Sequence, residues 1–277
     1  NIDITPYLAG LGVGGIVLSW VLSPIFSAII AMILFSLTRT SVLRKDFNSN
    51  RINFAYPILI GSTMTINSFF IIYKGAKGLG LDKTPLTVAF GAAFGIGGLS
   101  ALITIPIVPK LKKYVQEKFG EHHQTTNVEM ENKLETNQIE FNIKGEDELQ
   151  RVTDLHNNAE KFDNRTEETF KYLQIFTAIC DAFSHGANDV ANAIGPFVTI
   201  YTIYDSGGVL DDKADMGQDA YWILALGGVG IASGLFIYGK KITYAIGEKL
   251  VKITPSRGVA IELSSALVVI TGSRLKI

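Results

Sequence analysis

The side chains with the clearest capacity for chemistry lie together in one short segment, which reads DAFSHGANDVANAIGP. It carries two carboxylates, one imidazole and two amides, contributed by Asp181, Asp189, His185, Asn188 and Asn192. The residues between and around them are mostly small or apolar. If the segment crosses a membrane, a carboxylate there costs at least about 2.5 kcal/mol and needs a partner. We therefore predict that the segment binds an ion.

The spacing of these residues predicts a single binding face. Positions 185, 188, 189 and 192 recur at intervals of three and four, so they share one side of an α-helix. Carboxylate and amide oxygens suit a hard cation such as Na⁺. The Asp189 carboxylate and the amides of Asn188 and Asn192 are therefore predicted to suit Na⁺.

The same segment carries signals for a broken helix. Gly186 lowers helix stability, Asn188 and Asp189 are good N-cap residues, and Gly195-Pro196 disfavours continuation. A break near Gly186 would free backbone carbonyls for a cation. It would also aim a half-helix N-terminus at the membrane centre, where its N–H groups suit an anion.

Two other interpretations of the segment stay open. The polar residues could form a structural hydrogen-bond cluster between helices, which is also the simpler interpretation of Asp181. His185 and Asp189, four residues apart, could hold a transition metal, although no third ligand of that kind stands nearby.

Glu262 is a second carboxylate within an apolar stretch. Thr254-Pro255 predicts an N-cap and a first helical residue, so Glu262 falls about two turns into the last helix. It could lie near the membrane interface, paired with Arg257, or serve as a gating or coupling carboxylate. Both interpretations stay open for Glu262. The same two interpretations, a structural role and a gating or coupling role, stay open for Asp181.

The elements that position these residues are long apolar segments. Four runs contain no Asp, Glu, Lys or Arg: 4–38, 52–73, 84–109 and 220–239. A helix needs roughly 20 residues to cross a bilayer. With two interrupted apolar stretches, 172–204 and 258–273, these runs predict six membrane segments. The predicted fold class is an all-α, polytopic transmembrane protein.

The chain divides into three predicted regions. Membrane segments one to three occupy 1–109, a hydrophilic and largely disordered segment occupies 110–171, and segments four to six occupy 172–277. The middle region holds 24 of the chain's 51 charged residues. Positive charge in the short loops predicts one cytoplasmic side for 39–51, 110–171 and 240–257.

Three local signals concern helix geometry and processing. Pro24 predicts a helix start or a kink, with residues 7–20 as a lead-in to the first membrane segment. The pairs Gly91/Gly95 and Gly230/Gly234 have the spacing of close helix packing. Asn164-Arg165-Thr166 is a glycosylation sequon, a triplet that also arises by chance.

Composition excludes several other classes of protein. The net charge is -1, so no basic excess points to nucleic acid. One cysteine, Cys180, cannot form a disulfide within the chain and is best interpreted as a packing residue. No arrangement of nucleophile and base indicates an enzyme.

Residues 186–193, GANDVANA, resemble the signature of the inorganic phosphate transporter (PiT) family, the sodium- or proton-coupled phosphate symporters. Segments 19–24 (SWVLSP) and 247–263 resemble further stretches of that family in the same order. The resemblance implies two inverted-topology repeats, each with one such signature and one re-entrant Ser-Thr-Thr element. The first signature is expected upstream of Asn1, and the re-entrant elements upstream of Asn1 and beyond Ile277.

The resemblance implies a secondary active transporter that moves inorganic phosphate by symport with Na⁺ or H⁺ through alternating access. Asn188, Asp189 and Asn192 are then the site candidates, and His185, Glu262 and Asp181 the coupling or gating candidates. No cofactor beyond the coupling ion is expected. The expected setting is a lipid bilayer, the plasma membrane, with homo-oligomerisation open. The alternative is an ion channel or pore-forming subunit.

Overall fold

The computed structural model describes residues 13–74, 84–121, 146–205, 207, 221–250 and 252–275. Within these ranges the secondary structure is helical and contains no strand, which confirms the predicted all-α fold class. The α-helices are α1 (Val13–Thr38), α2 (Arg51–Lys74), α3 (Leu86–Thr104), α4 (Ile107–Glu121), α5 (Glu146–Asn158), α6 (Asn164–Asp205), α7 (Tyr221–Tyr244) and α8 (Pro255–Leu275). Two π-helical turns, Arg39–Leu43 and Ala245–Leu250, follow α1 and α7.

Four helical segments of the described chain are long and apolar enough to cross a membrane. They are Val17–Leu43, Arg51–Ile72, Leu86–Thr104 and Tyr221–Gly247, with mean hydropathies between 1.4 and 2.3. Each spans about 28 Å or more at 1.5 Å per residue, close to the hydrocarbon thickness of a bilayer. The predicted crossings of α6 and α8, which are not among these four, stay predictions.

Of the helix start or kink predicted at Pro24, the helix start is wrong and the kink stays a prediction. Helix α1 begins at Val13 and continues through Pro24 to Thr38. The sequon also has a structural explanation, since Asn164 is the first residue of α6 and the Thr166 side chain is completely buried.

The chain forms two compact units, one of residues 1–181 with 252–277 and one of residues 182–251. In the first unit α2 packs along α3, and α8 packs along α1. The α2–α3 contact is closest where Gly61 faces Gly97: a Cβ added to Gly97 would lie 2.6 Å from the Gly61 carbonyl oxygen. Small residues thus bring two backbones together, as membrane helices require.

The glycines that make this contact differ from the predicted pairs. A Cβ on Gly91, Gly95, Gly230 or Gly234 would meet nothing within 4 Å among the described atoms. The predicted pairs are thus not the contact glycines among the described residues, because helix rotation decides which glycine of a glycine-rich helix faces the neighbour.

One end of the first unit holds an aromatic core beneath a layer of charge. Phe47 is 1% exposed and packs with residues of α4, α6 and α8, among them Val108, Phe170 and Val259. The Lys112 ammonium and the Arg165 guanidinium lie over the Phe47 ring, at 5.2 and 5.0 Å from its centroid.

Glu160 contacts residues of two other segments at the same charged end of the first unit. Its carboxylate lies 2.5 Å from Arg39 and 3.0 Å from Arg44, and its carbonyl oxygen accepts a hydrogen bond from Arg257 at 2.8 Å. Desolvation opposes ionisation, but the hydrogen bonds from the two arginines lower the pKa of Glu160 below its ordinary value. The described parts of segments 39–51 and 110–171 therefore meet residues 252–257, the end of the predicted segment 240–257, at one end of this unit.

The hydrophilic region 110–171 contains more helix than expected. Helices α4 and α5 and the start of α6 occupy its described parts, and residues 122–145 lie outside the described residues. Helix α4 places Val108, Leu111, Val115 and Phe119 on one stripe that packs on the core. This spacing of three and four residues was present in the sequence and indicates an amphipathic helix.

The second unit pairs the C-terminal half of α6 with α7. Val198 and Ile223 are buried between them, and the Tyr201 and Trp222 rings meet edge to face at 6.0 Å. Ile194 lies against the backbone of Gly227, where a Cβ would come within 3.1 Å of the Ile194 Cβ. The close contact fixes which face of α6 turns toward α7.

Candidate functional site

Helix α6 carries the whole polar segment without interruption. It runs from Asn164 to Asp205, through Gly186 and Pro196, so the predicted break near Gly186 is wrong. A single glycine costs only about 1 kcal/mol, while each interrupted turn leaves backbone groups without hydrogen bonds. The continuous helix therefore supplies neither free carbonyls nor a half-helix N-terminus at this point.

The continuous helix keeps the predicted spacing on one face. Within the second unit, His185 is partly buried, whereas Asp189 and Asn192 are exposed on the described surface. The backbone of Asn188 lies in α6, and its side chain is outside the described residues. The arrangement offers carboxylate and amide oxygens on an open helix face, and the described residues do not enclose a ligand there.

The transition-metal interpretation gains no support from the described residues. No group of three or more His, Cys, Asp or Glu side chains comes together among them. His185 and Asp189 thus have no further ligand of this type in the described part of the chain. Oxygen ligation of a hard cation stays the chemistry that these side chains suit.

Glu262 belongs to a separate polar cluster in the first unit. Helix α8 begins at Pro255, as predicted, which places Glu262 two turns inside it. The Thr177 hydroxyl hydrogen-bonds the Glu262 carboxylate, and the Gln174 side chain hydrogen-bonds it as well. Thr177 is 1% exposed, whereas Glu262 and Gln174 are partly buried.

The predicted pairing of Glu262 with Arg257 is wrong. The Arg257 guanidinium instead donates to the carbonyl oxygens of Lys252 at 3.0 Å and Glu160 at 2.8 Å, and lies 5.9 Å from the Phe35 ring centroid. Arg257 therefore serves the charged end of the unit, while Glu262 points to α6. The gating or coupling interpretation of Glu262 stays a prediction.

Asp181 and Glu262 come close enough for their charges to interact. Both lie in the first unit, Asp181 one turn beyond Thr177 on α6. Two neighbouring carboxylates repel each other unless a proton or a cation lies between them. The coupling or gating interpretation of this pair stays a prediction.

Sequence reasoning missed the partners of Glu262. Gln174 and Thr177 are uncharged polar residues in an apolar stretch. Gln174 follows Glu167 by seven residues, and Thr177 precedes Asp181 by four. That periodicity marks one polar stripe on α6 and was a usable signal. Ser264, completely buried and 3.5 Å from the Ser27 hydroxyl, continues the polar contacts of α8 toward α1.

The fold and the polar residues define a class: a polytopic α-helical membrane protein with ionisable groups in or beside its apolar helices. The chain matches the model of the phosphate transporter family over residues 3–277 and belongs to that family. The family is one of transporters, not enzymes.

Individual relatives agree with this assignment. The phosphate-repressible phosphate permease pho-4 of Neurospora crassa is 42% identical over 127 residues, covering 46% of this chain and 21% of the relative. The sodium-dependent phosphate transporter 1 of Homo sapiens is 46% identical over 106 residues, covering 38% of this chain and 15% of the relative.

A solved structure described as the sodium-dependent phosphate transporter has the same fold. It superposes with a TM-score of 0.65 and 27% identity, and the match covers 95% of this chain and 52% of that one. The chain thus spans about half the length of that structure.

Proposed function

We propose that this chain is part of a symporter that moves inorganic phosphate across a membrane together with Na⁺. The observation that carries the proposal is the family match over residues 3–277, which includes the polar segment of α6. Relatives described as sodium-dependent phosphate transporters support Na⁺ over H⁺ as the coupling ion.

Asn188, Asp189 and Asn192 are the proposed substrate and ion ligands, with Na⁺ on Asn188 and Asp189. Because Asp189 and phosphate are both negative, a cation or a proton must lie between them, and Na⁺ is the proposed ion. Na⁺ binding then favours phosphate binding through electrostatics, with the cation bound first. Since α6 is unbroken, the ligands from this chain are side-chain oxygens, and residues outside the described chain complete the site.

Glu262 and Asp181 are the proposed coupling or gating carboxylates, and His185 is proposed to assist. The contact of Glu262 with Thr177 and Gln174 supports the role, because a bound cation or proton would change the charge that these groups stabilise. A change of charge there alters how α6 and α8 pack. Movement of this kind is what alternating access between two repeats requires.

The proposed arrangement in the membrane follows the three regions of the sequence. Membrane segments lie in 1–109 and 172–277 of an integral membrane protein, which we place in the plasma membrane. The hydrophilic region 110–171 lies on the cytoplasmic side. The meeting of its described helices with segment 39–51 supports a common side for both.

Uptake of radiolabelled phosphate by the full-length protein in proteoliposomes tests the function. An inward Na⁺ gradient should drive phosphate to an internal concentration above the external one, and an equal K⁺ gradient should not. Phosphate accumulation driven only by a pH gradient would show that the coupling ion is H⁺ and not Na⁺. Phosphate movement that stops at equal concentrations under every gradient would contradict symport and favour the channel.

A further inference from the structure

The first turn of α8 is held by a carboxylate from another helix. The Glu167 side chain on α6 accepts a hydrogen bond from the Ser256 backbone N–H at 3.0 Å and another from its hydroxyl at 2.7 Å. Ser256 is the second residue of α8 and is 1% exposed. Its N–H is one of the groups that a helix cannot satisfy internally, and a negative charge there also suits the helix dipole.

The cap differs from the one that the sequence predicts. Thr254, the expected N-cap, places its hydroxyl 3.2 Å from the Ser256 hydroxyl. The acceptor for the Ser256 N–H comes instead from a residue 89 positions earlier in the chain. A long-range cap fixes the position of the helix end relative to its neighbour, which a local cap does not.

Three contacts between α6 and α8 follow one another along both helices. Glu167 meets Ser256, Gln174 meets Gly258, and Thr177 meets Glu262. The middle contact is tight: a Cβ on Gly258 would lie 2.6 Å from the Gln174 Cδ. The first contact therefore sets the axial position of α8 at which Glu262 reaches its partners.

We infer that Glu167 is a positioning residue for Glu262: by capping α8, it fixes the register in which Glu262 meets Thr177 and Gln174. The inference rests on the proposed function, in which Glu262 responds to the coupling ion. The described hydrogen bonds of the Glu167 carboxylate go to Ser256 on α8, and the inferred role needs no contact with phosphate or ion. Its loss should alter the response to Na⁺ more than the capacity for phosphate.

The next residue provides a matched control. Glu168 lies 2.7 Å from the Lys118 ammonium and 3.9 Å from that of Lys171, away from the start of α8. Glu168→Gln removes a charge of the same kind one position along α6 but leaves the cap intact. Glu167→Gln is the conservative variant, because it keeps one acceptor oxygen for Ser256.

The test measures uptake and helix register in the full-length protein. Glu167→Ala should raise the Na⁺ concentration for half-maximal phosphate uptake about fivefold or more, Glu167→Gln should restore part of the loss, and Glu168→Gln should match the parent. A lower maximal rate with unchanged Na⁺ dependence would show a merely structural role and overturn the inference.

Register is measured without transport in a cysteine-free background. Thr177→Cys and Glu262→Cys are joined by a short methanethiosulfonate cross-linker, and the yield should fall at least twofold on adding Glu167→Ala. An unchanged yield would overturn the inference. If the parent protein shows no Na⁺-driven uptake but Glu167→Ala still lowers the cross-linking yield, the proposed function is refuted and the positioning of α8 by Glu167 stands. Should Glu167→Ala fail to reach the membrane, Ser256→Ala removes the hydroxyl contact alone and must show the same direction of change.

Discussion

The contact between α2 and α3 makes a quantitative prediction about Gly97→Ala. A Cβ at this position would lie 2.6 Å from the Gly61 carbonyl oxygen and would also overlap the Thr65 side chain. The Gly61 oxygen is backbone, so it cannot swing away as a flexible side chain would. The two helices must separate locally or the substituted helix must rotate.

The expected cost follows from two opposing effects. Overpacking of this kind costs typically about 1–3 kcal/mol, and separation of the helices also loses close backbone packing. Replacing glycine by alanine inside a helix returns about 1 kcal/mol of helix propensity. We expect the steric cost to exceed the gain, with a net destabilisation of up to about 2 kcal/mol.

Gly95→Ala is the control on the same helix. Its Cβ would meet nothing within 4 Å, so it gains helix propensity without a clash. Equilibrium unfolding in mixed micelles, followed by circular dichroism, should order the stabilities as Gly95→Ala, then parent, then Gly97→Ala. Adding Thr65→Ala to Gly97→Ala should recover only part of the loss. If Gly97→Ala is as stable as Gly95→Ala, the described α2–α3 contact is incorrect.

Two further substitutions test other contacts of the first unit. Asp163→Ala removes the side chain that accepts the Arg165 backbone N–H at 2.8 Å at the start of α6, and should cost about 1 kcal/mol in the same unfolding assay. Burial raises the pKa of the Asp163 carboxyl, but the hydrogen bonds from Arg165 outweigh burial and lower this pKa below its ordinary value of 3.8. The stabilisation by the ionised Asp163 is therefore complete above the pKa of the unfolded chain and is lost as the pH falls through the lowered pKa of the folded protein. A pH-independent difference between variant and parent would contradict the assignment. Gly258→Ala should displace the Gln174 amide from Glu262 and lower phosphate uptake about fivefold, the equivalent of one hydrogen bond of about 1 kcal/mol; unchanged uptake would contradict that geometry.

Composition was sufficient to predict the class of fold, and residue spacing was sufficient to predict that the candidate residues share one helix face. Long charge-free runs exclude most alternatives to membrane helices, because few soluble helices are so apolar for so long. The three- and four-residue intervals between His185 and Asn192 place these side chains on one face of any regular α-helix, and α6 is an uninterrupted helix here.

The details that sequence reasoning missed depend on contacts between distant residues. Gly186 and the nearby N-cap residues favour a break locally, but continuous backbone hydrogen bonding outweighs that preference. Arg257 is near Glu262 in sequence, whereas the actual partner, Thr177, is 85 residues away. Local propensity cannot rank such partners, because helix packing decides them.

The most direct test of the account is phosphate uptake by the full-length protein carrying Asp189→Asn. The substitution keeps the size of an exposed side chain on α6 and removes the charge proposed to hold Na⁺. Asp205→Asn, at the end of the same helix, is the matched control for loss of a carboxylate. The account predicts that Asp189→Asn abolishes Na⁺-driven accumulation with normal membrane insertion, while Asp205→Asn retains it. Parent-like Na⁺-driven uptake by Asp189→Asn would contradict the proposed site.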